Sequence, residues 1–566
     1  MKRLLPAFLF LGLFFFLPLA RILALGLNPG QFGLLGGAVW LRLLEVLRFT
    51  VFQALASTFL TLLLGLPLAF LFAHYTFPLK PLLRTITAIP FMLPTIVVAA
   101  GFNALLGPRG WLNLGLTALD LPPIEFIGTL TAILTAHVFY NTGIVIRMVG
   151  AAWAALDPRL EQAARSLGAH PVQVFLRITL PLLRPSILAA AALIFLFDFT
   201  SYGVILLLGG PRFATLEVEI YLQAMHFLNL PTAAMLALTQ LVCTLGLSVL
   251  YSRYITRLAV PVKPVERILQ APQTALQRTF VFLAFSFILL FFLLPMLALP
   301  LRSVSRLEPA RGQRTTIAPA LTLEYYQELF INRRGSVFYI PPINAARNSL
   351  TYASLTVLIS LTLGFPAAMA LSRPGKFARL SDPLLMLPLG ASAVTLGLGY
   401  IVTFNHPLAS FLPSALTKLG AFSSLVTDSL LKSPLLIPLA HTTIALPFVI
   451  RNLQAALATI PNRYREAAAV LGASPAQVWW YIDRPILSRA VISSSAFAFT
   501  VSLGEFGAAS LLARPEYPTL PTAIFRFLSQ PGGMNYGQAM AMATLLMLLT
   551  GLSIWLIERE RVTREL

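Results

Sequence analysis

One stretch of this chain occurs twice, in one register and without a gap. The first copy runs from Leu156 to Pro181 and the second from Ile460 to Pro485. Residues 304 positions apart keep the same type at many places, which in the first copy include Ala163, Ala164, Leu167, Gly168, Pro171, Gln173, Val174, Ile178 and Pro181. Such agreement indicates an internal duplication, so the chain is expected to fold as two related halves.

Each copy predicts two short helices separated by a turn. In the first copy Asp157 is a suitable N-cap, and Pro158 suits the first helical position. Gly168 can adopt the left-handed conformation that ends a helix. Small residues, Ala163 and Ala164, leave one face of the first helix open to close approach by another protein.

The second helix of each copy has its own predicted boundaries. In the second copy, residues 474–477 (Ser-Pro-Ala-Gln) have the form of a capping box with proline at the first helical position. Proline inside a helix removes a hydrogen bond and clashes with the preceding turn. Pro181 and Pro485 are therefore predicted to end these helices.

The composition indicates a membrane protein. Hydrophobic residues make up 57% of the 566 residues and charged residues only 11%, which lies well outside the average for soluble domains. The net charge of +20 would suggest nucleic acid as a partner of a soluble protein. Here the basic residues lie between apolar segments, so charge that sets membrane topology is the better interpretation. Cys243 is the only cysteine, which excludes a disulfide within the chain.

Apolar segments of membrane-spanning length predict twelve spans. The first, 4–27, has the length of a span rather than of a signal peptide's apolar core, which is roughly 7–15 residues. We therefore expect it to be retained. The other predicted spans are 49–74, 85–107, 126–153, 186–209, 230–252, 279–301, 346–372, 383–404, 433–455, 489–512 and 534–557.

These spans divide the chain into a first half, 1–256, a cytoplasmic linker, 257–276, and a second half, 277–566. Lys and Arg are more frequent in the loops that a cytoplasmic N-terminus places inside. Both duplicated loops and both termini are therefore predicted to face the cytoplasm. The polar segment 302–347 falls on the far side, and the sequence suggests no function for it.

Motifs for chemistry are missing from the sequence. The pair Gly375-Lys376 lacks the upstream glycine of a phosphate-binding loop, so any nucleotide site is expected on another polypeptide. No arrangement predicts catalytic residues or a metal site. Four histidines, His137, His226, His406 and His441, show no spacing that places two on one helix face, and they are expected to be isolated polar or structural residues.

The duplicated stretch resembles the cytoplasmic loop of ATP-binding-cassette (ABC) importer permeases. The family pattern is Glu-Ala-Ala, three residues, Gly, nine residues and Ile-x-Leu-Pro. The second copy keeps Glu466, Ala467, Ala468 and Gly472 but lacks the leucine before Pro485.

The first copy departs from the family pattern at a different place. It keeps the closing Ile-Thr-Leu-Pro, which ends at Pro181, and it keeps Gly168. Gln162 stands where the glutamate belongs, with Glu161 one place early. In the family this loop forms the coupling helix, which lies in a groove of the ATPase subunit. The resemblance therefore implies contact with an ATPase for Glu161, Gln162, Ala163, Ala164, Gly168, Pro181, Glu466, Ala467, Ala468, Gly472 and Pro485.

The resemblance also implies a fold and a set of partners. The expected fold is an all-α integral membrane protein, with about 12 transmembrane helices in two pseudo-symmetric type I ABC importer permease halves. The expected partners are a dimer of ABC ATPases in the cytoplasm and a secreted or lipid-anchored substrate-binding protein. ATP and Mg²⁺ would be bound by the ATPase and no cofactor by this chain. The expected location is the bacterial inner membrane, in contact with lipid and not with nucleic acid.

Further segments resemble the group of thiamine and ferric-iron importer permeases. They include residues 192–203, 208–211, 215–221 and 233–238 in the first half and 502–507 with 519–521 in the second. The resemblance places thiamine or a related organic cation slightly ahead of ferric iron. Two other classes stay open at this point. A secondary transporter can also have internal repeats, and an integral membrane enzyme would need clustered catalytic residues at one membrane face.

One acid lies in the predicted span after each duplicated loop. These are Asp198 and Glu505, and an aromatic residue, Tyr202 or Phe506, lies close to each in the sequence. Because ionised carboxylates in lipid are costly, they are expected to face the protein interior or a water-filled cavity. Together these four residues could line a passage for a cation. The alternative is that each acid is only hydrogen-bonded to a neighbouring helix or lies near the membrane surface.

Overall fold

The structure is a computed structural model, and it describes residues 2–27, 37–210, 212–258, 269–306, 320–331, 341–372, 375–405 and 430–562. His406 and much of the predicted linker 257–276 lie outside these residues. The chain divides into two compact units. The first unit is Gly37–Val218 with Val242–Arg302, and the second unit is Met1–Gly36, Glu219–Leu241 and Ser303–Leu566. The second unit thus includes the N-terminal helix, which precedes the first unit in the chain.

Nearly all regular structure among the described residues is helical. Up to residue 303 the helices are α1 Leu5–Gly26, α2 Gly37–His74, α3 Lys80–Met92, α4 Thr95–Leu106, α5 Trp111–Ala118, α6 Leu130–Ala154, α7 Pro158–Ser166, α8 Pro171–Phe199, α9 Leu216–Met225, α10 Leu230–Leu258 and α11 Ala275–Ser303. A separate π-helical turn, Ile205–Gly209, follows α8.

After the polar segment 302–347, the rest of the chain repeats this order of helices. Two short antiparallel strands, β1 Ser305–Arg306 and β2 Ala320–Leu321, pair within the long polar segment. The helices that follow are α12 Glu324–Glu328, α13 Pro342–Leu371, α14 Lys376–Met386, α15 Ala393–Phe404, α16 Leu436–Ala458, α17 Asn462–Val470, α18 Pro475–Gly504, α19 Gly507–Leu512, α20 Leu520–Leu528 and α21 Gly533–Val562. Short 3-10 turns lie at Leu387–Gly390 and Leu430–Lys432.

Ten helices among the described residues are long and apolar enough to cross a membrane, and the number rises to twelve if each of two bent helix pairs is one span. The prediction of about twelve spans is therefore confirmed. The predicted spans 85–107 and 383–404 are not straight, however. They bend by 112° between α3 and α4 and by 96° between Leu387–Gly390 and α15.

Each bend has a local cause. Between α3 and α4, Leu93 is extended and is followed by Pro94, because a residue before proline is disfavoured in the helical conformation. Between α14 and α15, Ala391 is extended and the Ser392 side chain accepts a hydrogen bond from the Thr395 amide, which caps α15. A hydropathy pattern does not detect these breaks, because the apolar run continues through them.

The prediction that Pro181 and Pro485 end their helices is wrong. Both lie inside long helices, α8 and α18, and each follows a π-helical turn that ends two residues earlier. Proline leaves the carbonyl four residues before it without a donor. In a π turn each amide bonds to the carbonyl five residues earlier instead of four. The turn therefore accommodates the missing proline donor, and the helix continues. Pro18 and Pro295 follow π turns in the same way.

The predicted spans 186–209 and 489–512 are each two pieces in the structure. Helix α8 ends at Phe199, and α18 ends at Gly504 just before an extended Glu505. The chain resumes as the turn Ile205–Gly209 after α8 and as α19 after α18. Both breaks therefore fall beside the acids that the sequence singled out.

Small residues lie at several of the helix contacts inside the second unit. There α1 packs against α13 and α16, and the cluster includes fully buried Ala7, Ala367, Ala368 and Ala445. A Cβ at Gly399 would lie 2.9 Å from Pro18, so glycine is needed where α1 meets α15. Lipid is as apolar as these side chains, and close van der Waals packing between small residues is what holds such helices together.

Inside the first unit, α2, α6 and α8 form one packed core. Its buried members include Ala69, Val145, Val149, Leu183 and Ile194. Helices α6 and α8 are the two that flank the first duplicated loop, so this core fixes the position of both ends of that loop.

Candidate functional site

The first coupling loop, defined as residues 157–181, has the predicted geometry. The Asp157 side chain accepts a 2.9 Å hydrogen bond from the Arg159 amide, and Pro158 opens α7. Gly168 has φ +84°, so the left-handed residue is where the sequence predicted it. A capping box of His170 and Gln173 then starts α8. The predicted Asp157 cap and Gly168 turn of this loop are confirmed, whereas the His170 cap was not predicted.

The second coupling loop, defined as residues 461–485, repeats this shape. Gly472 has φ +83° after α17. The Ser474 and Gln477 side chains form the predicted capping box at the start of α18. Because no atom lies within 4 Å of a Cβ built at Gly168 or Gly472, it is the backbone conformation alone that favours glycine at these two positions.

Several loop residues at the positions of the family motif are accessible at the protein surface. Gln162 and Ala163 are exposed and Ala164 is half-buried, and Glu466, Ala467 and Ala468 follow the same order. Pro181 and Pro485 are also exposed. The loops carry large apolar side chains at their tips, where Leu167 is 89% and Leu471 is 86% exposed. Both loop tips are therefore accessible to a partner protein.

A side-chain contact ties each coupling helix to the membrane helix that follows it. In the first loop the Thr179 hydroxyl donates a 2.9 Å hydrogen bond to the Glu161 carboxylate. In the second loop Arg465 and Asp483 form a 2.9 Å ion pair. Arg465 and Asp483 are the residues 304 positions after Glu161 and Thr179. We call these contacts the first and second tethers. Glu161 therefore contacts its own loop. The position of the family glutamate is occupied by Gln162 in the first loop and by Glu466 in the second.

Asp198 is buried at the end of α8, only 1% exposed. One carboxylate oxygen accepts a 2.7 Å hydrogen bond from the Asn141 amide and lies 3.6 Å from Nδ1 of His137. The same His137 nitrogen lies 2.9 Å from the Ser57 hydroxyl, and Nε2 lies 2.9 Å from the Ser201 hydroxyl. We call Ser57, His137, Asp198 and Ser201 the first histidine cluster.

Glu505 has a similar environment at the end of α18, where it is 8% exposed. Its carboxylate lies 3.2 Å from Nε2 of His441 and accepts hydrogen bonds from the amides of Ala508 and Ala509 at the start of α19. Nδ1 of His441 lies 2.8 Å from the Ser502 hydroxyl.

The Ser502 hydroxyl is also 3.2 Å from the Thr356 hydroxyl. We call Thr356, His441, Ser502 and Glu505 the second histidine cluster.

The two predicted aromatic residues are both buried. Phe506 packs against Phe525, with ring centroids 5.5 Å apart. It also lines a cavity of about 220 Å³ in the second unit, together with Tyr221, Arg514 and Arg526. The Glu505 carboxylate instead contacts His441 and α19.

The expectation that the histidines are isolated is wrong for two of them. His137 and His441 are both buried and both contact the predicted acid of their half. The signal was present in the sequence, because His137 and His441 lie 304 positions apart, the spacing of the coupling loops. Spacing along one helix face does not reveal these contacts, because the partners of each histidine come from other helices.

The repeat extends beyond the coupling loops in the structure. The Thr50 hydroxyl accepts a hydrogen bond from the Leu216 amide, and the Ser349 hydroxyl accepts one from the Leu520 amide. Leu216 and Leu520 are 304 positions apart, whereas Thr50 and Ser349 are 299 apart. Ser57 and Thr356 share this second spacing, so the two halves correspond along most of their length.

A family model provides an independent comparison. The model described as the binding-protein-dependent transport system inner membrane component matches residues 62–260 and again residues 360–559. The chain belongs to this family. It is the permease subunit of a binding-protein-dependent ABC importer, a multi-pass inner-membrane protein in which the family domain occurs twice. The fold class and the duplication predicted from the sequence are confirmed.

Curated relatives align with nearly the whole permease. The thiamine transport system permease protein ThiP of Brucella abortus is 27% identical over 553 residues, which cover 96% of this chain and 93% of that protein. The protein of the same name from Escherichia coli is 27% identical over 549 residues, with the same coverage. A probable ABC transporter permease protein of Sinorhizobium fredii is 26% identical and covers 85% of this chain and 82% of its own length.

Proposed function

We propose that this permease carries thiamine across the inner membrane into the cytoplasm. The observation that carries the proposal is alignment over 96% of the chain with relatives whose names specify thiamine transport. The segments that flank the two helix breaks, residues 192–203 and 502–507, are among those that resemble the thiamine group.

We further infer that the permease acts with two kinds of partner. ABC ATPase subunits would contact α7 and α17 and would bind the ATP and Mg²⁺. A substrate-binding protein would deliver the cargo from the opposite side of the membrane. The family description, which specifies dependence on a binding protein, supports this arrangement. Both coupling loops and both termini would then lie in the cytoplasm, as the distribution of Lys and Arg predicts.

The two coupling loops would not contact the ATPases equally. Glu466 is exposed and carries a carboxylate that can pair with a basic residue of an ATPase. Gln162, at the same position of the first loop, can form only hydrogen bonds. Because Glu161 already contacts Thr179, it does not replace the missing carboxylate. We infer that the second loop makes the stronger electrostatic contact.

The predicted passage residues have different surroundings, and we assign them different roles. Phe506 lines the cavity in the second unit, where its ring can contact a passing heteroaromatic cargo. Asp198 and Glu505 are buried against histidines. For these two acids we favour a role in holding helices over direct contact with cargo.

The cargo assignment is tested with the cognate binding protein. We expect isothermal titration calorimetry to detect saturable binding of thiamine and none of ferric iron. We also expect a strain that lacks this permease to lose uptake of labelled thiamine from dilute medium and to regain it when the gene is restored. Binding of ferric iron without binding of thiamine would reject the assignment.

A further inference from the structure

The two histidine clusters are equivalent sites with exchanged side chains. Position 198 is an aspartate and its counterpart 502 a serine, whereas position 201 is a serine and its counterpart 505 a glutamate. In both clusters Nδ1 of the histidine is near position 198 or 502, and Nε2 is near position 201 or 505. Each histidine therefore has a carboxylate beside one ring nitrogen, Nδ1 in the first half and Nε2 in the second, and a hydroxyl at hydrogen-bond distance from the other nitrogen. In the first cluster Nδ1 is also 2.9 Å from the Ser57 hydroxyl, closer than the Asp198 carboxylate at 3.6 Å.

Most side chains of both clusters are buried, so their contacts matter energetically. The side chains of His137, Asp198, His441, Ser502 and Glu505 are all buried. A buried polar group that loses its partner destabilises the protein, and a charged group does so more strongly. A carboxylate that faces histidine in both halves, although it comes from different positions, indicates that the pair itself is needed rather than either position.

Each cluster joins the same three helices of its half. Ser57, His137 and Asp198 lie on α2, α6 and α8. Thr356, His441 and Ser502 lie on α13, α16 and α18, the matching helices of the second half. In both halves the last helix breaks within a few residues of the cluster, after Phe199 and after Gly504.

The position of the clusters relative to the coupling loops is also repeated. His137 lies 17 residues before the end of α6 at Ala154, and His441 lies 17 residues before the end of α16 at Ala458. At a rise of 1.5 Å per residue this places each cluster about 25 Å along the helix from the coupling loop. The helices on either side of each loop are thus joined at one end by the loop and its tether and at the other by the cluster.

We propose that His137 and His441, each with one carboxylate, are positioning residues that make each coupling loop and the distant helix break move as one body. An ATPase that displaces the loop would then displace the break, whereas a loosened cluster would let the loop move alone. The inference rests on the proposed function for its driving partner. The proposed role requires a carboxylate beside each histidine. The carboxylate can come from either of the two matching positions.

Exchanging the side chains tests this requirement. Asp198→Asn removes the charge with little change of shape, and Asp198→Ser removes the carboxylate. The double variant Asp198→Ser/Ser201→Glu copies the arrangement of the second half. The matched set in the second half is Glu505→Gln, Glu505→Ser and Ser502→Asp/Glu505→Ser. All are assembled with the ATPase and binding protein in vesicles, and labelled thiamine taken up per ATP hydrolysed is measured.

We expect the single variants to lose about tenfold or more in thiamine per ATP while they still hydrolyse ATP, and the double variants to recover to within about twofold of the native chain. Native coupling in Asp198→Asn and Glu505→Gln would overturn the proposal. Double variants as defective as the singles, with native thermal stability, would also overturn it and would favour direct contact of the acids with cargo.

A second measurement does not depend on the cargo. Hydrogen exchange of the backbone around residues 196–205 and 500–509 is expected to speed up in the single variants and to return to native rates in the double variants. If the native chain shows no thiamine uptake in the same vesicles, the proposed function fails, and this exchange pattern still decides the role of the clusters. Unchanged exchange in the single variants would reject that role.

Discussion

At the scale of single residues, the two halves keep contacts while they change the side chains that make them. The first tether joins a carboxylate to a hydroxyl and the second joins a guanidinium to a carboxylate, at matching positions. The histidine clusters show the same behaviour with serine and a carboxylate. Matching residue types would not reveal either correspondence, because what is repeated is the contact between positions.

The tethers differ in charge, and their response to salt should differ accordingly. A double-mutant cycle with Arg465→Ala and Asp483→Ala is expected to give an interaction energy of about 0.2–1 kcal/mol, because Arg465 is partly exposed. This energy should fall markedly as salt is raised. The matched cycle, Glu161→Ala with Thr179→Ala, should respond to salt much less. The measurement is the free energy of unfolding in detergent at low and high salt, and equal salt dependence of the two cycles would contradict this account.

At the scale of helices, the sequence predicts caps and turns well and breaks poorly. Asp157, Gly168 and the capping box 474–477 are local signals, since each acts on backbone groups within a few residues, and all three are confirmed. The continuation of α8 past Pro181 depends on a π turn, which no residue pattern marked. The helix end at Phe199 lies inside a segment of spanning length, beside contacts with distant helices.

The left-handed turns at Gly168 and Gly472 can be tested by substitution. Valine at position 168 or 472 must adopt a positive φ, which costs about 1–2 kcal/mol or more for a branched side chain. We expect Gly168→Val and Gly472→Val to leave the protein in the membrane but to reduce association with the ATPase and transport. Asparagine tolerates this conformation, so Gly168→Asn and Gly472→Asn are the matched controls and should be close to native.

ATPase association is read by co-purification, and membrane insertion by the amount of protein in the membrane fraction. Native transport and coupled ATP hydrolysis in the double valine variant would show that the left-handed turns are not needed for coupling. Loss of the protein from the membrane in the valine variants would instead assign these glycines to insertion.

At the scale of the whole molecule, each compact unit contains one coupling loop and one histidine cluster. The first unit contains α7 with the first cluster, and the second unit contains α17 with the second cluster. The duplication and the membrane class followed from the sequence alone, because a repeat in register and long apolar segments are features of the whole chain. The assignment of α1 to the second unit did not follow from it, since contacts between distant segments leave no periodic signal.

The proposed orientation predicts from which side of the membrane a labelling reagent can reach the loops. In a Cys243→Ser background, single cysteines at Arg165 and Ala469, both exposed, should react with a membrane-impermeant maleimide only when the cytoplasmic face is open. A cysteine at Leu321, in the polar segment on the predicted far side, should react from the outside. Labelling of positions 165 and 469 only from the outside would show that the topology is the reverse of the predicted one.

We propose that this permease transports thiamine with the energy of ATP hydrolysis on partner subunits that contact both coupling loops. The most direct test is uptake of labelled thiamine into vesicles that contain the purified permease and ATPase, with the binding protein outside and ATP inside. We predict uptake that requires both ATP and the binding protein and that persists when ion gradients are collapsed. Uptake driven by an ion gradient in vesicles without the ATPase would contradict the claim.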